Sequence, residues 1–134
     1  MAKERILVID DDPDTIEFLQ LVFSVRGREV AGALSGADGL RLAREQSFDL
    51  IIVDVMMPDV DGYEVCRQLR ADPITANVPL TILTARGRPI DEARGLAAGA
   101  NRFLIKPIGV SMLVEQVNAL IAQHKAAASS APEP

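Results

Sequence analysis

The sequence predicts an α/β domain in which a five-stranded parallel sheet carries helices on both faces. Three observations predict it. Five short apolar runs alternate without interruption with stretches of helical spacing. Three of those runs lack polar alternation, as strands covered on both sides do. The 134 residues, nearly half of them apolar, suffice for one domain with a sizeable core. Parallel strands joined through helices require right-handed crossovers, which place the helices in layers above and below the sheet.

The elements follow in order. RILVI (5–9) is strand-length, and Ile16, Leu19, Val22 and Phe23 recur after it at helical spacing. Asp12 is placed to cap that helix, Pro13 lies in its first turn, and Gly27 is placed to end it. EVAGAL (29–34) is the second strand, followed by Ala37, Leu40 and Ala43 on one helix face. DLIIV (49–53) precedes Val65, Cys66 and Leu69. PLTIL (79–83) precedes Ile90, Ala93, Leu96 and Ala97, the expected inward face of the fourth helix. RFLI (102–105) leads to the most regular stripe, Val110, Leu113, Val117, Leu120 and Ile121. The end, KAAASSAPEP, is small, polar and proline-bearing. Residues 126–134 are read as a flexible tail or linker stub, leaving residues 1–125 as the domain.

Bulk properties exclude several classes. A net charge of −5 argues against nucleic acid as a direct ligand. No apolar stretch approaches the roughly 20 residues that cross a bilayer. The start MAKERILVID runs straight into aspartates and does not read as a signal peptide. The single Cys66 cannot form an internal disulfide, which fits a reducing cytoplasm. The absence of CxxC and of a His pair argues against zinc, and neither GxxxxGK[ST] nor GxGxxG occurs.

Chemistry collects where the strands end. In an open parallel sheet, ligands bind beyond the carboxyl ends of the strands. The first run ends in Asp10-Asp11-Asp12, the third in Asp54, the fourth in Thr84 and the fifth in Lys106. Two unit charges about 4 Å apart at an effective dielectric near 20 interact by roughly 4 kcal/mol, so clustered carboxylates repel strongly. One lysine does not neutralise them. A hard divalent cation does, and magnesium takes one or two carboxylates together with a phosphate oxygen. The pocket therefore reads as a cation site that holds a phosphoryl group.

The stretches ILVIDDDP, DLIIVDVMMPDVDGYEV, LTILTARG and AGANRFLIKP together resemble the receiver domain of two-component response regulators. The resemblance implies a flavodoxin-like (βα)5 three-layer sandwich with strand order 2-1-3-4-5. It implies Asp54 as phosphoacceptor for a phosphohistidine on a sensor histidine kinase or phosphotransfer protein. Asp11, Asp54, the main-chain carbonyl of Met56 and Asp10 would bind Mg2+. Lys106 would pair with Asp54 and then with a phosphoryl oxygen. Thr84 would donate its hydroxyl to another and be drawn inward, and Phe103 would turn from exposed to buried with it. Such domains assist their own phosphorylation and dephosphorylation but act as signalling modules rather than enzymes. The Lys106–Pro107 peptide would be cis, and a downstream partner or output domain would read the α4-β5-α5 face. Met56 and Arg86, two residues after Asp54 and Thr84, would shield the phosphoryl group and slow its hydrolysis. Phe103 lacks the hydroxyl of the common Tyr, and Ile108 stands where many relatives carry Phe. GANRFLIKPIGVSMLVEQV lacks the acidic pair and the charged last-helix pattern of receivers fused to winged-helix factors, which argues against their characteristic dimer. The LRADPITANVPLTILTARG segment looks more like stand-alone receivers or those attached to kinases and cyclic-dinucleotide enzymes.

Other readings compete. Asp10-x-Asp12 is compatible with an aspartyl-phosphate-forming phosphohydrolase, which would leave Asp54 without a role. A flavodoxin-like redox carrier would need hydroxyl and glycine donors where this loop is acidic. Simpler roles suffice for Asp12 as a cap, Asp59 and Asp61 as turn residues, Cys66 as packing, and His124 as an exposed residue near the end of the last helix.

Overall fold

A computed structural model of the chain describes residues 3–129. Its elements alternate as the apolar periodicity requires: β1 (Arg5–Ile9), α1 (Pro13–Ser24), β2 (Glu29–Ala33), α2 (Gly36–Glu45), β3 (Leu50–Val53), α3 (Gly62–Ala71), β4 (Leu80–Thr84), α4 (Pro89–Ala97), β5 (Arg102–Ile105) and α5 (Val110–Ser129). The strands form one parallel sheet in the order β2-β1-β3-β4-β5. β1 pairs with β2 on one side and β3 on the other, so the direction of winding reverses between them. That reversal opens a crevice above the ends of β1 and β3.

Alternation along the strands divides the core in two. Leu7, Ile9, Ile51, Val53, Leu80 and Ile82 face Leu40, Val65 and Leu69 of α2 and α3. Ile6, Val8, Leu50, Ile52 and Leu83 face Leu19 and Phe23 of α1 and Leu113 and Val117 of α5. Each such side chain contributes about 1.5–3 kcal/mol on full burial, so these layers hold the sheet rigid beneath the crevice. Thr81 shares the Leu83 side of β4 and is buried, and its Oγ1 has no hydrogen-bond partner among the described residues. An unpaired buried hydroxyl costs about 1–3 kcal/mol, so the near-isosteric Thr81→Val is expected to stabilise the fold by about 1 kcal/mol. Urea unfolding checks this, and a lower midpoint for the variant contradicts it.

Two elements differ from their sequence reading. The α4 stripe Ile90, Ala93, Leu96 and Ala97 faces outward, with Ile90 59% and Leu96 47% exposed. The inward positions are Asp91 and Gly95, followed by Ala98. The reason is close approach: a Cβ at Gly95 would lie 2.8 Å from Ile82 Cδ1 and 2.9 Å from Phe103 Cδ2. Small size rather than hydrophobicity decides which face of α4 meets the sheet. The second difference is α5, which continues through Ser129, beyond the boundary placed at residue 125. Ala126, Ala127 and Ala128 are strong helix formers, and Lys125 pairs with Glu4 beside the start of β1. His124 therefore sits inside the helix and is half-buried rather than exposed. Residues 130–134 of the expected tail lie outside the described residues. Among the described residues no helix is long and apolar enough to cross a membrane.

Candidate functional site

The sheet ladders deliver the site residues. Asp54 N–H donates to Ile9 O at 2.9 Å and Asp10 N–H donates to Ala33 O at 3.0 Å, so pairing continues one residue past the strands. On the far side, Lys106 N–H donates to Thr84 O at 2.8 Å. One carboxylate oxygen from each of Asp10, Asp11 and Asp54 lies within 4.8 Å of the other two. Asp10 is 2% and Asp54 8% exposed, whereas Asp11 faces solvent. Asp12 turns away to its capping role, accepting from Asp14 N–H at 2.9 Å.

Lys106 Nζ stands 2.8 Å from Asp10 Oδ2 and 3.4 Å from Asp54 Oδ2. The nearer partner is thus Asp10, where the resemblance named Asp54. Burial pushes the Asp10 carboxyl above its ordinary value and the Asp54 charge adds to this, against the hydrogen bonds from Lys106 and the Asp12 N–H. Burial alone would pull the Lys106 ammonium down, but the Asp10 hydrogen bond and both carboxylate charges carry it upward. Both directions report one condition: a buried site with more negative than positive charge.

Asp54 Oδ1 accepts the Met56 N–H at 3.1 Å, which fixes the carboxylate's orientation, and the Met56 side chain is exposed. The loop needs Gly62: a Cβ there would meet Asp54 O at 2.3 Å. Thr84 is fully buried, with Oγ1 accepting from Arg86 N–H at 3.2 Å. Phe103 is half-buried and packs on the core beside Gly95. The Lys106–Pro107 peptide is cis, as the resemblance implies.

The model of the response regulator receiver domain matches residues 6–118. The chain belongs to the response regulator receiver family. It is 42% identical over 116 residues to the transcriptional regulatory protein AfsQ1 of Streptomyces coelicolor, an overlap covering 87% of this chain and 50% of that protein. It is 34% identical over 118 residues to the protein PilH of Pseudomonas aeruginosa, covering 88% of this chain and 98% of PilH. The solved receiver domain of Francisella response regulator 1452 superposes with a TM-score of 0.84 at 31% identity, covering 90% of this chain and 98% of that one. This receiver spans about half the length of AfsQ1 and nearly all of PilH.

Receiver domains bind Mg2+ at an acidic pocket, act as signalling domains and work with histidine kinases. The residues here fit the ion. Three carboxylates present hard oxygen donors within one small sphere, and a single lysine leaves them with surplus negative charge.

Sequence reading missed how the receiver secures the loops around the pocket. Asp59 is more than a turn residue: its carboxylate accepts from Gly36 and Ala37 N–H at 3.1 and 3.0 Å, capping α2 from across the chain and drawing its own pKa down. Asp61 caps α3 by accepting from Glu64 N–H at 2.9 Å. The signal for Asp61 was available as an acidic residue three positions before Glu64. The one for Asp59 was not, because its partners lie 22 and 23 residues away. Cys66 is packing, with burial pushing its thiol up to about 12. A cleft of about 430 Å3 opens beside the pocket, lined by Asp11, Met56, Tyr63, Arg86 and Arg94 among others.

Proposed function

We propose that Asp54 is the phosphoacceptor of this receiver, taking its phosphoryl group from a phosphohistidine of a sensor histidine kinase or phosphotransfer protein. The observation that supports it most is the convergence of three carboxylates within 4.8 Å beside a paired lysine. In the step, an Asp54 oxygen lone pair attacks phosphorus. The P–O bond forms as the P–N bond to the imidazole breaks, with its electron pair staying on nitrogen. Met56 N–H orients the attacking carboxylate. Lys106 moves from carboxylate to phosphoryl oxygen, and the Thr84 hydroxyl, an acceptor from Arg86 N–H, still has a proton to donate. Asp10, Asp11, Asp54 and the Met56 carbonyl would hold Mg2+, which when bound supplies charge neutralisation at the carboxylates and a phosphoryl oxygen.

Modification biases a two-state equilibrium that Thr84 and Phe103 report, and a downstream partner or output domain reads the result on the α4-β5-α5 face. Exposed Ile90, Leu96, Ile105 and Met112 give that face apolar contacts. The receiver unit, which α5 carries past residue 125 to Ser129, works in the cytoplasm without direct nucleic-acid contact, as the net charge of −5 favours. Met56 and Arg86 shield the phosphoryl group and slow its hydrolysis. The phosphohydrolase reading is not favoured, because it leaves the Asp54–Lys106 pairing without purpose.

Intact mass after incubation with acetyl phosphate tests the reading. The protein is expected to gain one phosphoryl group with magnesium and none after chelation, with peptide mapping locating it on Asp54. A gain that is indifferent to chelation, or that maps elsewhere, overturns the proposal.

A further inference from the structure

Besides Asp10 and Asp54, the buried acid among the described residues is Asp91, in the first turn of α4. Arg88 satisfies it. Its main-chain N–H and Nε donate to Oδ2 at 3.2 and 2.8 Å, and a terminal guanidinium nitrogen donates to Oδ1 at 3.2 Å. The Tyr63 hydroxyl of α3 donates to the same carboxylate at 3.4 Å. The Arg88 hydrogen bonds hold Asp91 down at about 2, so it stays ionised.

A second guanidinium is also present. Arg86 Nε lies 3.6 Å from Asp91 Oδ1, at loose ion-pair distance, with its side chain 45% exposed. Asp91 is already matched by one bidentate arginine, so Arg86 can leave at small cost. Its surroundings point toward the phosphoryl site. Arg86 shares a cleft with Asp11 and Met56, and its N–H is bonded to Thr84 Oγ1.

We propose that Arg86 is a further phosphoryl-binding residue, held on Asp91 in the unmodified domain and passed to the phosphoryl oxygens once Asp54 is modified. The inference rests on Asp54 being the phosphoacceptor. Charge supplies the drive. Phosphorylation replaces one carboxylate charge with a dianion, so whatever balance the three carboxylates reach with Lys106 and a divalent cation, the product holds one further negative charge. A guanidinium, planar and permanently charged, matches two phosphoryl oxygens at once. Asp91 is then a positioning residue: it keeps Arg86 off the three carboxylates beforehand, where a guanidinium would compete with the cation, yet within one short loop of them. Because Asp91 also accepts from the Arg88 N–H at the start of α4, loss of Arg86 changes the charge on the cap of that helix. The modification is thereby felt at the outward face of α4.

The test compares the parent with Arg86→Ala, Arg86→Lys and Asp91→Asn, using acetyl phosphate with magnesium and, as a phosphoryl mimic, beryllofluoride. Arg86→Ala is expected to take up phosphoryl about tenfold more slowly and to bind the mimic about tenfold more weakly, with Lys between the two. Its side chain is half-exposed, so its urea midpoint should stay near the parent's. Asp91→Asn removes the competing anion and is expected to tighten the mimic about threefold, whatever it does to the melting point. The parent's Arg86 Nε–H resonance should move on mimic binding. Arg86→Ala matching the parent in uptake and mimic affinity overturns the inference, as does Asp91→Asn weakening the mimic. A parent that takes up no phosphoryl group at all points elsewhere, to failure of the phosphoacceptor reading itself.

Discussion

Lys106→Met is expected to lower the unfolding free energy by about 2–4 kcal/mol near neutral pH, because it strips two buried carboxylates of their cation. Lys106 Nζ sits 2.8 Å from Asp10 and 3.4 Å from Asp54, with only a quarter of the side chain in solvent. Methionine keeps the apolar stem, so packing alone predicts little loss. The deficit should depend on pH with a definite sign. Asp10 already has a raised carboxyl, chiefly through burial. A group raised on folding contributes stability below its unfolded value, and that contribution disappears as pH rises through the folded value. Without Lys106 the Asp10 carboxyl rises further. The variant's deficit should therefore be largest at about pH 7 and shrink toward about pH 4, as proton uptake by Asp10 removes the buried charge that has lost its partner. Lys106, raised in the folded state, titrates far above this window and adds no slope within it. Urea titrations at the two pH values check the claim. A deficit that grows on acidification contradicts it. Magnesium should restore part of the loss, since an ion held by the native site alone stabilises it by mass action.

Asp10, Asp11, Asp54, Thr84 and Lys106 were legible because a parallel sheet points every strand the same way. Any polar residue ending an apolar run is then delivered to one edge, and the ladders that continue through Asp10, Asp54 and Lys106 by one hydrogen bond do this here. Helix faces were legible where hydrophobicity decides them, as in α1 and α5. α4 was not, because Gly95 and Asp91 turn inward for reasons of size and hydrogen bonding that an apolar stripe does not encode. Nor was the choice of Asp10 over Asp54 as the lysine's nearer partner, a matter of a fraction of an ångström between adjacent strand ends. Asp91 did carry a local signal: an acid at the third position after a residue that precedes proline, the spacing of a capping box. Its second partner Arg86 carried none, since it follows from how the β4–α4 loop folds back.

The opposite edge of the sheet has its own anchor, and Arg70→Ala should expose it. Arg70 leaves α3 to donate through Nε to Gly99 O at 3.0 Å and through one terminal nitrogen to Ala76 O at 3.0 Å and Val78 O at 2.6 Å. The other terminal nitrogen donates to Asn101 Oδ1 at 2.9 Å, and that same oxygen accepts Leu80 N–H at 2.8 Å. One half-buried guanidinium thus joins α3 to the segments that enter β4 and β5. Burial pulls its pKa below the ordinary arginine value, which leaves it charged at every working pH. Hydrogen bonds to a charged donor contribute about 1.5–3 kcal/mol each, but carbonyls near the surface recover part of this from water, so the expected net loss is about 2–3 kcal/mol. Arg70→Lys keeps the charge and loses the fork, and should fall between the parent and Ala. Because these contacts lie at the far edge from Asp54, phosphoryl uptake by the folded variant should match the parent. A loss below about 1 kcal/mol would mean water replaces the guanidinium almost fully. An uptake defect in protein that is still folded would mean instead that strain at the entry to β4 and β5 travels along both strands to Thr84 and Lys106.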